Sequence, residues 1–238
     1  MPASTIYLVR HGQASAKSRD YDVLSALGVQ QARRLGAYLG GERRVIEVMV
    51  SGPRKRQIDT ARHLVEAAHA AGMSYPAPVI VDELDEMPFR EILNAALHHW
   101  IDEGPHMGAM LRGEPHIEYS FVRLRAFIKR AVMAWAAEEL VAEGTETFAR
   151  FAERVEGAIE RLQQGGGAVM AVTSAGPVAL SLRHARARGT ESAHETMALA
   201  MEIVNASVST LVSDGTNPLR VAAANQHDHL DPDAVTLV

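Results

Sequence analysis

The chain has 238 residues, of which 47% are hydrophobic, and this is enough to bury the core of one α/β domain. Its 24 basic and 29 acidic residues give a net charge of −5, which argues against a general binder of nucleic acid or membrane surfaces. The sequence has no cysteine, which excludes disulfides and zinc–thiolate sites. Without a signal-peptide pattern or a membrane-spanning run, we expect a cytoplasmic protein.

Strands and helices alternate along the first third of the chain. Apolar runs predict strands over residues 6–9, 45–50 and 79–81, and helical spacing of apolar residues predicts helices over 27–39 and 57–71. This alternation is typical of α/β proteins in which helices cover a parallel sheet.

The middle of the chain, residues 91–162, is predicted to be largely helical. Apolar side chains recur at helical spacing in two stripes, one over residues 121–135 and one over 148–162. We expect the helices over about residues 88–147 to form a cap inserted beside the sheet.

The C-terminal part is predicted to complete the sheet. A strand is expected over residues 168–173, and two more over 208–212 and 219–223 are joined by an Asp-Gly turn. The elements together predict a three-layer α/β/α sandwich with a mainly parallel sheet, formed as one domain by residues 1–238. The last pair of strands predicts an antiparallel edge.

Arg10, His11 and Gly12 follow the first predicted strand, where an open α/β sheet binds its ligands. Arginine offers a planar, permanently charged fork that matches phosphate oxygens. Histidine offers a ring nitrogen that can attack phosphorus, and glycine allows the backbone to approach a substrate closely. By itself the tripeptide fits both a loop that binds a phosphoryl group and an ordinary loop that happens to hold these residues, and the rest of the chain favours the first.

Six segments of the chain resemble the histidine phosphatase superfamily, which has the phosphoglycerate-mutase-like fold. They occur in the order of that family and at roughly its spacing. The segments are LVRHGQA at 8–14, LSALGVQQA at 24–32, SGPRKRQIDTA at 51–61, LDE at 84–86, AVMAVTSAGP at 168–177 and NQHDHL at 225–230.

This resemblance implies roles for individual residues. His11 corresponds to the nucleophile, and Arg10 and Arg56 correspond to the arginines that bind the phosphate. Gln13 is expected to line the same pocket. Each of these residues belongs to a segment that matches the motif of the family.

The acidic segment supplies the expected proton donor. The resemblance implies this role for Glu86, which would protonate the departing oxygen and later act as the base. Glu83 and Asp85 flank it, and either could serve instead if the register differs.

One position departs from the pattern of the superfamily. Its members usually carry a second histidine after the late strand, and Ser174 stands at that position here. A shift of one residue would place Ala175 there. The resemblance leaves two roles for Ser174, a hydrogen-bond donor to phosphate or a turn residue. Because the missing ring would neutralise phosphoryl oxygens, we expect slow turnover.

His227 and His229 flank Asp228 and suggest a metal site, but their place in the closing segment of the family implies a structural role. We expect neither a metal nor an organic cofactor, because guanidinium groups can supply the positive charge that magnesium supplies elsewhere.

The leading hypothesis is a metal-independent phosphatase that forms a phosphohistidine on His11. Its partner would be a small-molecule phosphate ester or a phosphoprotein, without nucleic acid or membrane, and the sequence does not indicate the substrate or the oligomeric state. A phosphomutase is the less favoured reaction. The main alternative is a catalytically impaired module of the same fold that binds a phosphate ligand or regulates. A third hypothesis is a helical scaffold over residues 91–162 that binds nucleic acid or another partner.

Overall fold

Six strands form one sheet in the computed structural model, which describes residues 2–15, 22–112, 114, 120–187 and 192–237. The strand order is β3-β2-β4-β1-β5-β6. The strands are β1 (Ser4–Arg10), β2 (Val48–Ser51), β3 (Val79–Ile80), β4 (Gly167–Thr173), β5 (Val208–Ser213) and β6 (Arg220–Gln226).

The sheet is mainly parallel, as predicted. β1 runs parallel to β4, and β2 runs parallel to both β4 and β3. β5 pairs antiparallel with β1 and with β6, so β5 alone is reversed among these six strands. The predicted antiparallel character of the last two strands is therefore confirmed.

Eight α-helices lie within the described ranges, and none of them is long and apolar enough to cross a membrane. Ser25 precedes the first helix, and its hydroxyl accepts a hydrogen bond from the Gly28 N–H at 3.0 Å. The helices are α1 (Ala26–Gly41), α2 (Lys55–Ala70), α3 (Phe89–His99), α4 (Gly104–Arg112), α5 (Phe121–Ala136), α6 (Phe148–Gly165), α7 (Ala175–Ala187) and α8 (Ala193–Ala200).

Two helices, α7 and α8, were not predicted from the sequence. Residues 175–182 of α7 are buried on all sides, so the helix lacks the contrast between an apolar and a polar face that reveals surface helices. α8 has only eight residues, too few for a clear period. The predicted helical region before them is confirmed, but it is divided into α3, α4, α5 and α6.

Alternating side chains of the strands bury both faces of the sheet. Ile6 and Leu8 of β1 face one cluster, and Val9 faces the other. The second cluster includes Leu35 of α1 and Leu64 of α2. The first is larger, and it contains the apolar stripes predicted on α5 and α6. Its members there include Leu124, Phe127, Ala131, Trp135, Phe148, Phe151, Val155 and Ile159.

The carboxyl ends of β1, β2 and β4 meet at one edge of the sheet. Arg10 at the end of β1 pairs with Thr173 at the end of β4. Helices α2 and α7 begin just beyond β2 and β4, so their N-termini point toward the same edge. This edge is where parallel sheets place ligands.

Candidate active site

The loop of residues 10–13, named the nucleophile loop after the role predicted for His11, is held by segments from several parts of the chain. The His11 N–H donates to the Thr173 carbonyl at 2.8 Å, and the Gly12 N–H donates to the Thr60 hydroxyl at 3.0 Å. The Asn205 side chain donates to the His11 carbonyl at 3.1 Å. The backbone of the loop is therefore fixed on several sides.

These surroundings determine the tautomer of His11. Its Nδ1 lies 2.7 Å from the Gly12 carbonyl, which can only accept, so Nδ1 carries the hydrogen. The Nε2 lone pair then accepts from the Arg56 Nε–H at 3.0 Å. Burial, followed by the charges of Arg56 and Arg10, lowers the pKa of His11 well below its ordinary 6.5. At neutral pH the ring is therefore uncharged, and Nε2 is its nitrogen without a hydrogen.

Two guanidinium groups lie beside this ring. Arg56 comes from the first turn of α2 and is buried, and its Nη1 donates to the Asp22 carboxylate at 2.8 Å. The other oxygen of Asp22 accepts from the Lys55 N–H at 2.9 Å. Arg10 reaches across the sheet edge and donates to the Ile203 carbonyl. The site therefore holds two fixed positive charges next to a neutral imidazole.

Glu86 lies close to the same two arginines. Burial raises the pKa of its carboxyl group, while hydrogen bonds from the backbone of Met87 and Gly176 and the charges of Arg56 and Arg10 oppose that rise. The Met87 N–H lies 3.0 Å from Oε1. A Cβ atom on Gly176 would lie 2.4 Å from Oε1, so the carboxyl group touches the first turn of α7. Its raised pKa favours the protonated form that a general acid needs.

The two other acidic candidates are engaged elsewhere. Glu83 forms an exposed ion pair with Arg161 of α6 at 2.6 Å. Asp85 accepts from Arg54 at 2.6 Å, and its carboxylate also accepts from the Glu86 N–H. The geometry favours Glu86 as the carboxyl group of this site.

Ser174 lies immediately before α7 and has no exposed surface. Its hydroxyl accepts a hydrogen bond from the Gln57 side-chain nitrogen at 2.8 Å. The orientation of this amide is fixed, because the Gln57 oxygen accepts from the Arg54 N–H at 3.0 Å. No atom in the described part of the chain accepts the hydroxyl hydrogen of Ser174, which leaves that hydrogen as a donor.

Gln13 connects the nucleophile loop to α1. Its side-chain oxygen accepts from the Ser25 hydroxyl at 2.8 Å, and its N–H donates to Gln31 at 2.7 Å. It lies two residues after His11, at the side of the loop that faces the start of α1.

His227 contacts the nearby backbone, and His229 contacts a side chain of α1. His227 donates through Nδ1 to the Asn225 carbonyl at 2.7 Å, and His229 stacks on Tyr38 with the ring centroids 5.7 Å apart. Burial lowers the pKa of His229 to about 4. Among the residues that the structure describes, no three His, Asp or Glu side chains are grouped to hold a metal.

Asp22 and Gln57 contribute to the site but were not predicted. Asp22 is separated from Arg56 by 34 positions, and Gln57 from Ser174 by 117. No local spacing connects such pairs. The one usable signal was the position of Gln57 directly after the predicted phosphate-binding Arg56.

Comparison with known proteins adds the family and the fold. The model of the histidine phosphatase superfamily (branch 1) matches residues 6–139. No curated protein matches the sequence. At the low identities given below, the likeness to solved structures concerns the fold alone. A Bacillus anthracis phosphoglycerate mutase is 18% identical, with 96% of this chain and 95% of that chain covered and a TM-score of 0.60. An Entamoeba histolytica phosphoserine phosphatase mutant in complex with phosphoserine is 14% identical, with 95% of this chain and 99% of that chain covered and a TM-score of 0.60. A mycobacterial glucosyl-3-phosphoglycerate phosphatase with inorganic phosphate is 20% identical, with 96% of this chain and 100% of that chain covered and a TM-score of 0.59.

Proposed function

Because this chain belongs to the histidine phosphatase superfamily, we propose that it hydrolyses phosphoric monoesters through a phosphohistidine on His11. The observation that carries the proposal is the state of His11, a buried neutral ring whose Nε2 lone pair points at the guanidinium of Arg56. A tetrahedral oxyanion that binds Arg56 and Arg10 would meet this lone pair directly.

In the first step, Arg10 and Arg56 bind the phosphoryl oxygens and Nε2 of His11 attacks phosphorus. The bond between phosphorus and the ester oxygen breaks, and Glu86 gives its proton to that oxygen. In the second step, water attacks the phosphohistidine and transfers a proton to Glu86. The phosphorus–nitrogen bond then breaks and inorganic phosphate leaves. The two guanidinium groups balance the phosphoryl charge, so the proposed reaction has no metal requirement.

A small phosphate monoester is the proposed substrate class, with a phosphoprotein as the second. The support comes from the solved relatives with bound ligands, one of which holds phosphoserine and another inorganic phosphate. A mutase must protect its phosphorylated intermediate from water while the product reorients. Hydrolysis is favoured over isomerisation, because nothing in the sequence indicates such a closure.

Ser174 is proposed to donate its hydroxyl hydrogen toward the phosphoryl group, since the Gln57 amide occupies its acceptor side. A neutral hydroxyl cannot replace a charged imidazolium. Losing one charge-assisted hydrogen bond costs about 1.5–3 kcal/mol, which slows a reaction roughly tenfold to hundredfold. We therefore propose a slow phosphatase.

A phosphate-binding module without useful turnover is the second candidate. It is favoured by one observation: Arg10 and Arg56 lie beside His11, while the uncharged Ser174 stands where the family usually has a second histidine. The charges that bind a phosphate would then be present without the charged donor that speeds its transfer. Such a protein would bind inorganic phosphate but would not release it from esters.

Phosphate release from 4-nitrophenyl phosphate distinguishes the two candidates. We expect turnover by the wild type, its loss in His11→Ala, and an acid-labile, base-stable phosphoryl adduct on His11. His98→Ala, which alters an exposed histidine on α3, is the matched control and should keep full turnover. Undiminished turnover in His11→Ala, or an adduct on another residue, would reject the proposed nucleophile. Phosphate binding without turnover would establish the binding module.

A further inference from the structure

Arg154 of α6 binds the backbone of the segment that carries Glu86. Its Nη1 donates to the carbonyls of Glu83 and Asp85, each at 2.8 Å, and its Nη2 donates to the carbonyl of Glu86 at 3.1 Å. We propose that Arg154 is a positioning residue, which holds this acid loop, residues 82–87, so that the Glu86 carboxyl group faces the phosphoryl site.

The guanidinium group is itself fixed in place. Glu146 accepts from Nε at 2.8 Å and from Nη2 at 2.6 Å, a bidentate pair in which both side chains are largely buried. The guanidinium also lies over the Phe151 ring, 4.8 Å from its centroid. One edge of the fork is therefore held by a carboxylate, and Nη1 and Nη2 remain directed at the acid loop.

The acid loop depends on this contact because it has little regular structure of its own. Only a short 3₁₀ turn, Asp82–Leu84, precedes Glu86. The Thr173 hydroxyl donates to the Leu84 carbonyl at 2.6 Å and fixes the middle of the loop. The carbonyls of Asp85 and Glu86, which orient the catalytic side chain, converge on Arg154. A lysine has one compact charged group and cannot satisfy carbonyls and carboxylate in this geometry.

The consequence for catalysis depends on the leaving group. This inference rests on the proposed function, in which Glu86 protonates the departing oxygen. A nitrophenolate leaves without a proton, whereas an alkoxide requires one. Misplacing Glu86 would therefore slow hydrolysis of alkyl phosphates and have little effect on nitrophenyl phosphate. A general loss of folding would slow both reactions equally.

The test compares kcat/KM for 2-glycerol phosphate and 4-nitrophenyl phosphate in five proteins. They are the wild type, Arg154→Met, Arg154→Lys, Glu86→Gln and the control Arg161→Met. Arg161 lies on the same helix and contacts the same loop, but only through the exposed Glu83 side chain. General acid catalysis contributes about a hundredfold to ten-thousandfold. We expect both Arg154 variants to lose at least about tenfold on the alkyl ester and under about twofold on the aryl ester.

The outcomes separate the inference from the proposed function. If Glu86→Gln is selectively slow on the alkyl ester while both Arg154 variants match the wild type or lose both activities equally, Arg154 is not a positioning residue. If Glu86→Gln shows no selectivity although the wild type is active, Glu86 is not the acid, and the proposed mechanism fails first. If Arg154→Met does not fold, Arg154→Lys decides by the same ratio. Selective loss in Arg161→Met would overturn the assignment to Arg154.

Discussion

The nucleophile loop and the acid loop lie at the same edge of the sheet but are held in different ways. In the first, the His11 N–H donates to β4 and the Gly12 N–H donates to Thr60 of α2, while the His11 carbonyl accepts from Asn205. The second receives three carbonyl contacts from the single side chain of Arg154. The proposed phosphate-binding loop is thus held by β4, α2 and Asn205, whereas the proposed proton-donor loop is held by one hydroxyl of β4 and, at three carbonyls, by one side chain of α6.

Because the two loops are held differently, mutations should affect them differently. Several donors and acceptors hold the nucleophile loop, so the loss of any one leaves the others in place. Three of the side-chain contacts to the acid-loop carbonyls come from Arg154 and one comes from Thr173, so we predict that losing Arg154 impairs the proposed proton transfer while phosphate binding survives. Predictions about the two loops can therefore be tested by comparing hydrolysis of alkyl and aryl phosphates in each variant.

The largest expected effect follows from removing the Arg56 guanidinium, which is proposed to bind the phosphoryl group of every substrate. Arg56→Ala should slow hydrolysis of both alkyl and aryl phosphates, by roughly tenfold to hundredfold, because a charge-assisted hydrogen bond worth about 1.5–3 kcal/mol is lost. Arg62→Ala, an exposed position on the same helix that pairs with Asp59, should match the wild type in kcat/KM. A loss confined to the alkyl ester would break the proposed division between the loops.

A smaller effect is expected at Ser174, whose neighbour Thr173 contacts both loops. Ser174→Ala leaves the buried Gln57 nitrogen without its acceptor and should reduce the free energy of unfolding by about 1–3 kcal/mol. Ser174→His should also destabilise, because the Gln57 amide occupies the space beside it. Urea unfolding measures both variants.

The double variant Ser174→His/Gln57→Ala removes the Gln57 amide that would otherwise clash with the new ring. It should recover stability relative to Ser174→His and exceed the wild type in phosphate release, since an imidazolium can carry positive charge toward the phosphate. If Ser174→Ala is as stable and as active as the wild type and the double variant gains nothing, Ser174 is not part of the phosphate site.

The smallest expected effect is on the pH dependence of folding stability, to which His11 and Glu86 contribute with opposite signs. The pKa of His11 is lowered in the folded protein, so its contribution to stability is present above pH 6.5 and is lost as the pH falls through the folded value. The pKa of Glu86 is raised, so its contribution is present below pH 4.5 and is lost as the pH rises through the folded value.

Two variants test these opposite signs, and each is the control for the other. When the pH is lowered from 8 to 5, the free energy of unfolding of His11→Gln should fall less than that of the wild type. When the pH is raised from 5 to 8, the free energy of unfolding of Glu86→Gln should fall less than that of the wild type. Urea unfolding at both pH values gives the comparison. The same pH dependence in both variants would contradict the two burial effects.

The sequence predicted those members of the proposed site that can be recognised from neighbouring residues. Arg10 and His11 follow an apolar strand, and Arg56 lies in a second motif, so each could be identified from neighbours within a few positions. The choice between Glu86 and its acidic neighbours remained open, because it depends on which carboxylates bind Arg54 and Arg161.

Other residues could not be predicted, because their partners are distant in sequence. Arg154 lies 68 positions from Glu86 and reads as an ordinary charged residue on an amphipathic helix. Asp22 has the same difficulty. α7 was missed for a different physical reason, since a helix buried all round shows no periodic contrast. Long-range contacts and complete burial are both invisible to spacing within the sequence.

In the proposed mechanism, the hydrogen bond from Arg56 to Nε2 of His11 occupies the lone pair that must attack phosphorus. A lone pair that already accepts a hydrogen bond is a poor attacking group, so stray electrophiles meet an occupied nitrogen. An arriving phosphate monoester competes for the same guanidinium and withdraws the donor from the ring. The ligand that needs the nucleophile is therefore the one that uncovers it, and recognition and activation occur in one exchange of partners.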